Sequence, residues 1–298
     1  MRVAAILGLG CSLKHLKPFE DDKAVEWRLG VPASSDYVDA ILLFGGDGTV
    51  HRHLGQLVRQ GRPVLVIPAG SGNDFATALG INRTGDSLAA WQRFRQGSEN
   101  VRTIDLGLIT PLHTDASRLE PDHEVAPRHF CCVAGVGLDS EVARRANQLP
   151  RWLRGNGGYA LSLLPTIFRF APLPIRIFRE EDAHGAWTLR SDQPTMLAAF
   201  ANAPFYGGGM KIAPRAVMDD GLLDVCVVGG VDPFKLFCMF PTVYFGRHLK
   251  IREVEYFNAA RVRVESEHPI DIYADGEYVC RTPAEIDIQP RALPMIVP

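Results

Sequence analysis

The sequence lacks any stretch of eighteen uninterrupted apolar residues, so no segment reads as a membrane-spanning helix. Its opening apolar run, residues 3–7, is also too short for a signal peptide. Charge of one sign is missing too. The 32 Lys+Arg stand against 34 Asp+Glu, for a net charge of −2, which supplies no basic field for nucleic acid. Six cysteines are present (Cys11, Cys131, Cys132, Cys226, Cys238 and Cys280), but none forms a C-x-x-C pair. Cys131 and Cys132 are adjacent, and neighbours on a strand point to opposite faces. Neither a disulfide framework nor a zinc site is expected; reduced thiols in a cytoplasmic protein are. Internal repeats and low-complexity tracts are absent. What remains is an ordinary globular composition of 298 residues, 46% hydrophobic and 22% charged, long enough for two cores.

The first hundred residues alternate short apolar runs with helical patterns. Runs at 3–7, 40–44 and 64–67 have the continuous apolar character of buried parallel strands. Between the last two, residues 50–59 place Val50, Leu54, Leu57 and Val58 on one helical face. Further helices are predicted from Asn73 onward and over 87–95. This pattern predicts an open α/β sheet. After residue 101, β-rich runs recur at 102–109, 128–134, 175–178, 196–201, 222–228, 261–265, 270–273 and 285–288, the spacing of an antiparallel sandwich. Helices are predicted near 140–148, 160–168 and 233–245, and an exposed loop over 111–127.

Four segments carry chemistry. Gly45-Gly46-Asp47-Gly48-Thr49 lies between a strand and a helix. Its glycines permit close backbone approach, and free N–H groups at the helix start attract phosphate. Asp47 beside that site makes sense if a metal ion accompanies the phosphates. Pro68-Ala69-Gly70-Ser71-Gly72-Asn73-Asp74 occupies the same sheet edge after the next strand, where ligands of open α/β sheets collect; Asp74 also has the plain reading of a helix cap. Gly207-Gly208-Gly209-Met210-Lys211 precedes Asp219-Asp220-Gly221, which suits either an exposed turn or a hard-cation loop. Tyr273-Ala274-Asp275-Gly276-Glu277 carries the Asp-Gly signature of a type I′ hairpin turn.

In this order, the four segments resemble the catalytic region of the diacylglycerol kinase superfamily, which includes bacterial soluble lipid kinases and eukaryotic diacylglycerol, sphingosine and ceramide kinases. The resemblance covers residues 40–290 and also rests on Asp105-Leu106-Gly107, on Val133-Ala134-Gly135-Val136-Gly137-Leu138-Asp139 and on Ala201-Asn202. It implies an NAD-kinase-like open α/β nucleotide domain over 1–105 and a C-terminal antiparallel β-sandwich lipid-substrate domain over 106–289. The tail 290–298 is expected to pack back on the first domain, and the active site to lie in the cleft between the two. By the resemblance, Gly45, Gly46, Asp47, Gly48 and Thr49, with Gly70, Ser71, Gly72 and Asn73, would hold ATP. Asp220 and the carbonyls of Val217 and Leu222 would hold Mg2+. The catalytic candidates are Glu277, Asp275 and Asp47, one of them the general base. An acidic network of Asp47, Asp74 and Asp105 would surround the catalytic magnesium.

The sequence departs from the family at two places. Gly8-Leu9-Gly10-Cys11-Ser12 replaces an Asn-Pro-x-Ser-Gly type segment, and His51-Arg52 stands where Asn-Glu is common. Two alternatives to a lipid kinase therefore stay open: a kinase of a soluble alcohol, and a catalytically silent nucleotide- or lipid-binding relative. Aromatics mix with basic residues over 152–178 and 234–250, which suits either packed helices or peripheral contact with a membrane surface. A homodimer is also among the expectations.

Overall fold

The computed structural model describes residues 1–298 except 21–23, 34–35, 113–125, 149–157 and 182–184; the side chains of 158–162 are likewise left aside. Most of the loop expected over 111–127 thus lies outside the described residues. In the N-terminal half, β1 (Arg2–Leu7) pairs in parallel with β2 (Glu26–Leu29) and β3 (Ala40–Gly45), and β3 pairs in parallel with β4 (Val64–Pro68). The short helix α1 (Leu13–Leu16) follows β1. Helices α2 (Asp47–Gln60), α3 (Asp74–Ala78) and α4 (Thr84–Arg95) follow β3 and β4. Val50, Leu54 and Leu57 are the buried face of α2, as their spacing requires. Gly61, left-handed at φ 57, ends that helix.

The second half is a large antiparallel system. It begins with β5 (Val101–Pro111), β6 (Arg128–Phe130) and β7 (Val133–Gly137). It continues through β8 (Leu173–Glu180), β9 (Trp187–Ala201), β10 (Leu223–Gly229), β11 (Val254–Ala259) and β12 (Arg261–Ser266). It closes with β13 (Asp271–Ala274), β14 (Glu277–Arg281) and β15 (Ala284–Ile296). The strand order runs β14-β13-β7-β9-β8-β12-β15-β4-β3-β1-β2. The last strand, β15, is the seam: it pairs antiparallel with β5 and β12, and its Met295 meets Val64 of β4 in parallel. Backbone hydrogen bonding is therefore continuous from one half to the other. Strands β2, β11 and β14 have no counterpart in the sequence-based expectation.

Helices α5 (Leu138–Gln148), α6 (Gly158–Ile167) and α7 (Pro233–Val243) cover one side of the β-rich half. They close a separate apolar cluster of Leu138, Val142, Leu163, Ile167, Leu236 and Met239 with Met196 and Val228. Among the described residues no helix is long and apolar enough to cross a membrane.

Candidate active site

The two glycine loops at the edge of the parallel strands touch backbone to backbone. A Cβ on Gly46 would stand 2.7 Å from the Gly70 Cα, and one on Gly70 would stand 2.5 Å from the Gly46 Cα. Only glycine permits that approach. Asn73 locks the second loop: its Oδ1 accepts from the Gly70 N–H at 2.9 Å and its Nδ2 donates to the Gly70 carbonyl at 2.8 Å. Of the expected nucleotide residues, Asp47, Gly48, Ser71 and Gly72 line a cleft of about 560 Å3. Gly45, Gly46, Thr49, Gly70 and Asn73 instead build the loop contact behind it.

Two carboxylates tie this corner together. Asp47 accepts the backbone N–H groups of Asp74 (3.1 Å) and Phe75 (3.0 Å), so it caps α3 from a distance. Asp74 is not the cap; its carboxylate accepts the N–H groups of Gly208 and Gly209, each at 2.8 Å. Gly207, Gly208 and Gly209 all have positive φ, which turns those donors toward Asp74 and brings the third motif to the first two. Burial pushes the Asp47 carboxyl up to about 6 against its N–H donors, and the charge of Asp74 adds to the rise. Burial also raises Asp74.

The opposite wall is the β13–β14 turn. Asp275 and Gly276 both have positive φ, 50° and 84°, the type I′ geometry. Register places Asp275 beside β7: Ala274 pairs with Ala134, and the Asp275 N–H donates to the Val133 carbonyl. Its side chain is 0% exposed. It accepts N–H groups from Cys131 (2.8 Å), Cys132 (2.8 Å) and Val133 (3.3 Å), and His51 Nδ1 lies 3.1 Å away. Burial opposes its ionisation, yet the His51 contact and the backbone donors hold its pKa below the ordinary value. Asn147 of α5 donates to the Gly276 carbonyl at 2.8 Å and steadies the turn. Glu277 follows as an exposed residue lining the cleft, close enough to α2 that a Cβ on Gly48 would lie 3.7 Å from its Oε1.

Two expectations change, and a third finding adds a residue. Asp105 does not join Asp47 and Asp74: it is buried on β5, where its two oxygens accept the N–H groups of Gly221 and Arg291, both at 2.7 Å. Strand pairing across the seam fixes it there, so it anchors the 219–222 loop to β15. The second change concerns the cysteines. Cys131 and Cys132 sit on a bend between β6 and β7, not within a strand, and their Sγ atoms lie 4.0 Å apart. Third, Asp139, a buried residue in the first turn of α5, lines the cleft and had not been singled out for chemistry. Its signal was an acid in the first turn of a helix that follows a glycine-rich strand.

The cleft wall therefore carries Asp47, Asp74, Asp139, Asp275 and Glu277, and no lysine or arginine is among its described lining residues. Such a wall repels a bare triphosphate and suits one accompanied by a hard divalent cation on oxygen donors. The 217–222 loop lies outside the cleft lining. There Asp220 Oδ1 accepts the Leu222 N–H at 3.0 Å, and Val217 is 44% exposed. The Asp220 carboxylate is an oxygen donor of the class a magnesium ion takes.

Behind the cleft lies a narrow apolar chamber of about 50 Å3 walled by α5, α6, α7 and the sheet, with Leu138, Val142, Leu163, Leu236 and Met239 among its walls. Asp139 and Tyr206 belong to both cavities.

Comparison with known proteins matches both halves. Residues 14–109 fit the diacylglycerol kinase catalytic domain, and residues 132–297 fit the YegS C-terminal NAD kinase beta sandwich-like domain. A diacylglycerol kinase of Mycobacterium tuberculosis is 36% identical over 260 residues, 87% of this chain and 77% of that protein. A diacylglycerol kinase of Bacillus subtilis is 27% identical over 262 residues, 87% of this chain and 78% of that protein. A solved structure of a diacylglycerol kinase from Bacillus anthracis superposes with a TM-score of 0.65, covering 100% of this chain and 96% of that one. At 18% identity, that likeness speaks for the fold alone.

Proposed function

The chain belongs to the diacylglycerol kinase family, and from that membership we propose that it transfers the γ-phosphate of ATP to a hydroxyl of diacylglycerol, a sphingoid base or a related lipid. The observation that carries the lipid reading is the junction of the two cavities at Asp139 and Tyr206. A hydroxyl-bearing head group presented to the acidic cleft leaves its chain at the mouth of the apolar chamber. A small soluble alcohol has no use for that chamber. At about 50 Å3 it is too small for a whole acyl chain, so most of the chain stays in the bilayer or displaces α7.

The residues divide the work. The N-terminus of α2 and the 71–72 backbone receive phosphate oxygens. Glu277, exposed and at the cleft wall, takes the proton of the acceptor hydroxyl as general base. Asp275 has its oxygens committed to backbone donors and His51, so it positions the turn that presents Glu277. Asp47 and Asp74 join the loops through backbone N–H groups, and their negative charge would favour a magnesium ion beside the phosphates. Bound magnesium would neutralise charge on the transferring phosphoryl group, with a second ion held by Asp220, Val217 and Leu222. At the His51-Arg52 departure, His51 pairs with Asp275.

Membrane contact fits the outer side of α6 and α7. Phe168, Phe234, Phe237 and Phe245 are exposed there, Phe245 at 73%, and Arg247 and Lys250 follow in the turn Arg247–Lys250. Apolar rings beside cations suit an anionic bilayer face, which supports a cytoplasmic protein in peripheral contact with a membrane. The Arg151–Arg154 end of the expected aromatic-basic stretch lies outside the described residues.

The test fills the chamber. Leu236→Trp is expected to slow phosphorylation of a long-chain diacylglycerol in mixed micelles while a short-chain, water-soluble diacylglycerol is turned over at the normal rate. An equal loss on both substrates would count against the chamber as the acyl site.

A further inference from the structure

Cys131 and Cys132 carry no role in the proposed phosphoryl transfer, yet Cys132 lines the cleft and Cys131 is buried beside it. Cys131 is 0% exposed and Cys132 3%. Their sulfurs are 4.0 Å apart, and Cys131 Sγ lies 3.4 Å from Asp275 Oδ2. Two sulfurs and one carboxylate oxygen thus fall within 4.8 Å of one another.

The spacing discriminates between two fates for the pair. Two thiolates on one tetrahedral zinc ion, with Zn–S near 2.3 Å, sit about 3.8 Å apart. The sulfurs are already within a few tenths of an ångström of that separation. A disulfide would need about 2.05 Å. Halving the distance between adjacent residues would swing the bend and pull the Cys131 and Cys132 N–H groups off Asp275. For chelation the two sulfurs need not close on each other.

We propose that Cys131, Cys132 and Asp275 form a binding site for a thiophilic divalent cation of the zinc and cadmium class, and that its occupancy shuts the cleft down. On binding, both thiols release their protons to solvent, and the ion takes two thiolate sulfurs and one carboxylate oxygen. A water completes the coordination. Thiolate sulfur selects against magnesium, so this position is distinct from the all-oxygen positions of the reaction. The inhibitory consequence follows from Asp275. Its oxygens hold the bend through three backbone N–H groups and contact His51. An ion drawing on that carboxylate loosens the turn that presents Glu277. Only this consequence rests on the kinase reading; the binding does not.

Cadmium is the probe, because thiolate-to-cadmium charge transfer absorbs in the ultraviolet where magnesium complexes are silent. Titration of the full chain is expected to give a band that saturates at one equivalent. The band is expected to persist in Cys11→Ser/Cys238→Ser, which removes the two cysteines that are not buried, and to be lost in Cys131→Ser and in Cys132→Ser. One equivalent of cadmium in excess magnesium is expected to lower wild-type lipid phosphorylation by about 10²-fold, the cost of an ångström-scale misplacement of a reacting group. The Cys131→Ser and Cys132→Ser proteins are expected to be insensitive. A wild-type titration without a saturable band overturns the site, whether or not the serine variants fold. A band that vanishes with Cys11 and Cys238, or survives in both single variants, overturns it as well. A band with unchanged turnover overturns the shutdown and leaves the site. A protein inactive on every lipid, yet showing the band, speaks against the kinase reading alone.

Discussion

Asp47 and Asp275 face one cleft from two ends of the chain, and their surroundings shift their acidity in opposite directions. Each accepts backbone N–H groups, two at Asp47 and three at Asp275. Each is opposed by burial. At Asp47 the neighbouring carboxylate of Asp74 adds to the rise and the pKa stands at about 6. At Asp275 the His51 contact and the extra donors reverse the direction. A carboxylate neighbour at one acid, and an imidazole with one more N–H donor at the other, push two buried acids in opposite directions. In the proposed division of roles, the buried Asp275 serves as scaffold and the exposed Glu277 is the group that takes the proton.

Separating these roles is the strongest way to break the comparison. Glu277→Gln is expected to lower kcat by about 10²–10⁴-fold and to change stability by no more than about 0.5 kcal/mol, read by a mixed-micelle assay beside thermal unfolding. Asp275→Ala is expected to lose activity and stability together, by about 3–5 kcal/mol, because it strands His51 and three buried N–H groups. If Asp275→Ala unfolded like the wild type while losing turnover, Asp275 would be the chemical group and the scaffold role would fall.

A smaller effect tests the other corner. Gly46→Ala places a methyl 2.7 Å from the Gly70 Cα and is expected to cost about 1–3 kcal/mol, with a raised KM for ATP. Chemical denaturation and nucleotide titration read the two effects separately.

The smallest effect is the pH dependence, where the two acids have opposite signs. Asp47 is raised, so its contribution is present below its ordinary pKa of 3.8 and is lost as pH climbs toward about 6. Asp275 is lowered, so its contribution is present above its ordinary value and is lost as pH falls through the folded one. Between pH 4 and 6, wild type is therefore expected to lose stability relative to Asp47→Asn, on the order of 2 kcal/mol at most after solvent screening. A flat difference across that window would show that Asp47 is not raised.

Much of this site was legible in the sequence. Apolar runs ending at Gly45-Gly46 and at Pro68 placed both glycine loops on one sheet edge. Asp275-Gly276 announced its turn conformation. The buried partners of Asp275 were not legible, because they come from the β7–β13 register, some 140 positions away in sequence. The exchange between Asp47 and Asp74 was hidden likewise, since local spacing favours Asp74 as the cap. Strand β2 escaped because Glu26-Trp27-Arg28-Leu29 carries charges suited to an edge. The proximity of the Cys131 and Cys132 sulfurs was hidden because strand alternation does not apply at a bend.

The most direct test is transfer of label from γ-labelled ATP with magnesium to diacylglycerol and sphingoid bases in mixed micelles, run beside Glu277→Gln and Asp47→Ala. A labelled lipid made by the wild type, and reduced by about 10²-fold or more in Glu277→Gln while ATP still binds, is the predicted result. Undiminished product from Glu277→Gln, or no lipid product from a wild type that binds ATP, would contradict it.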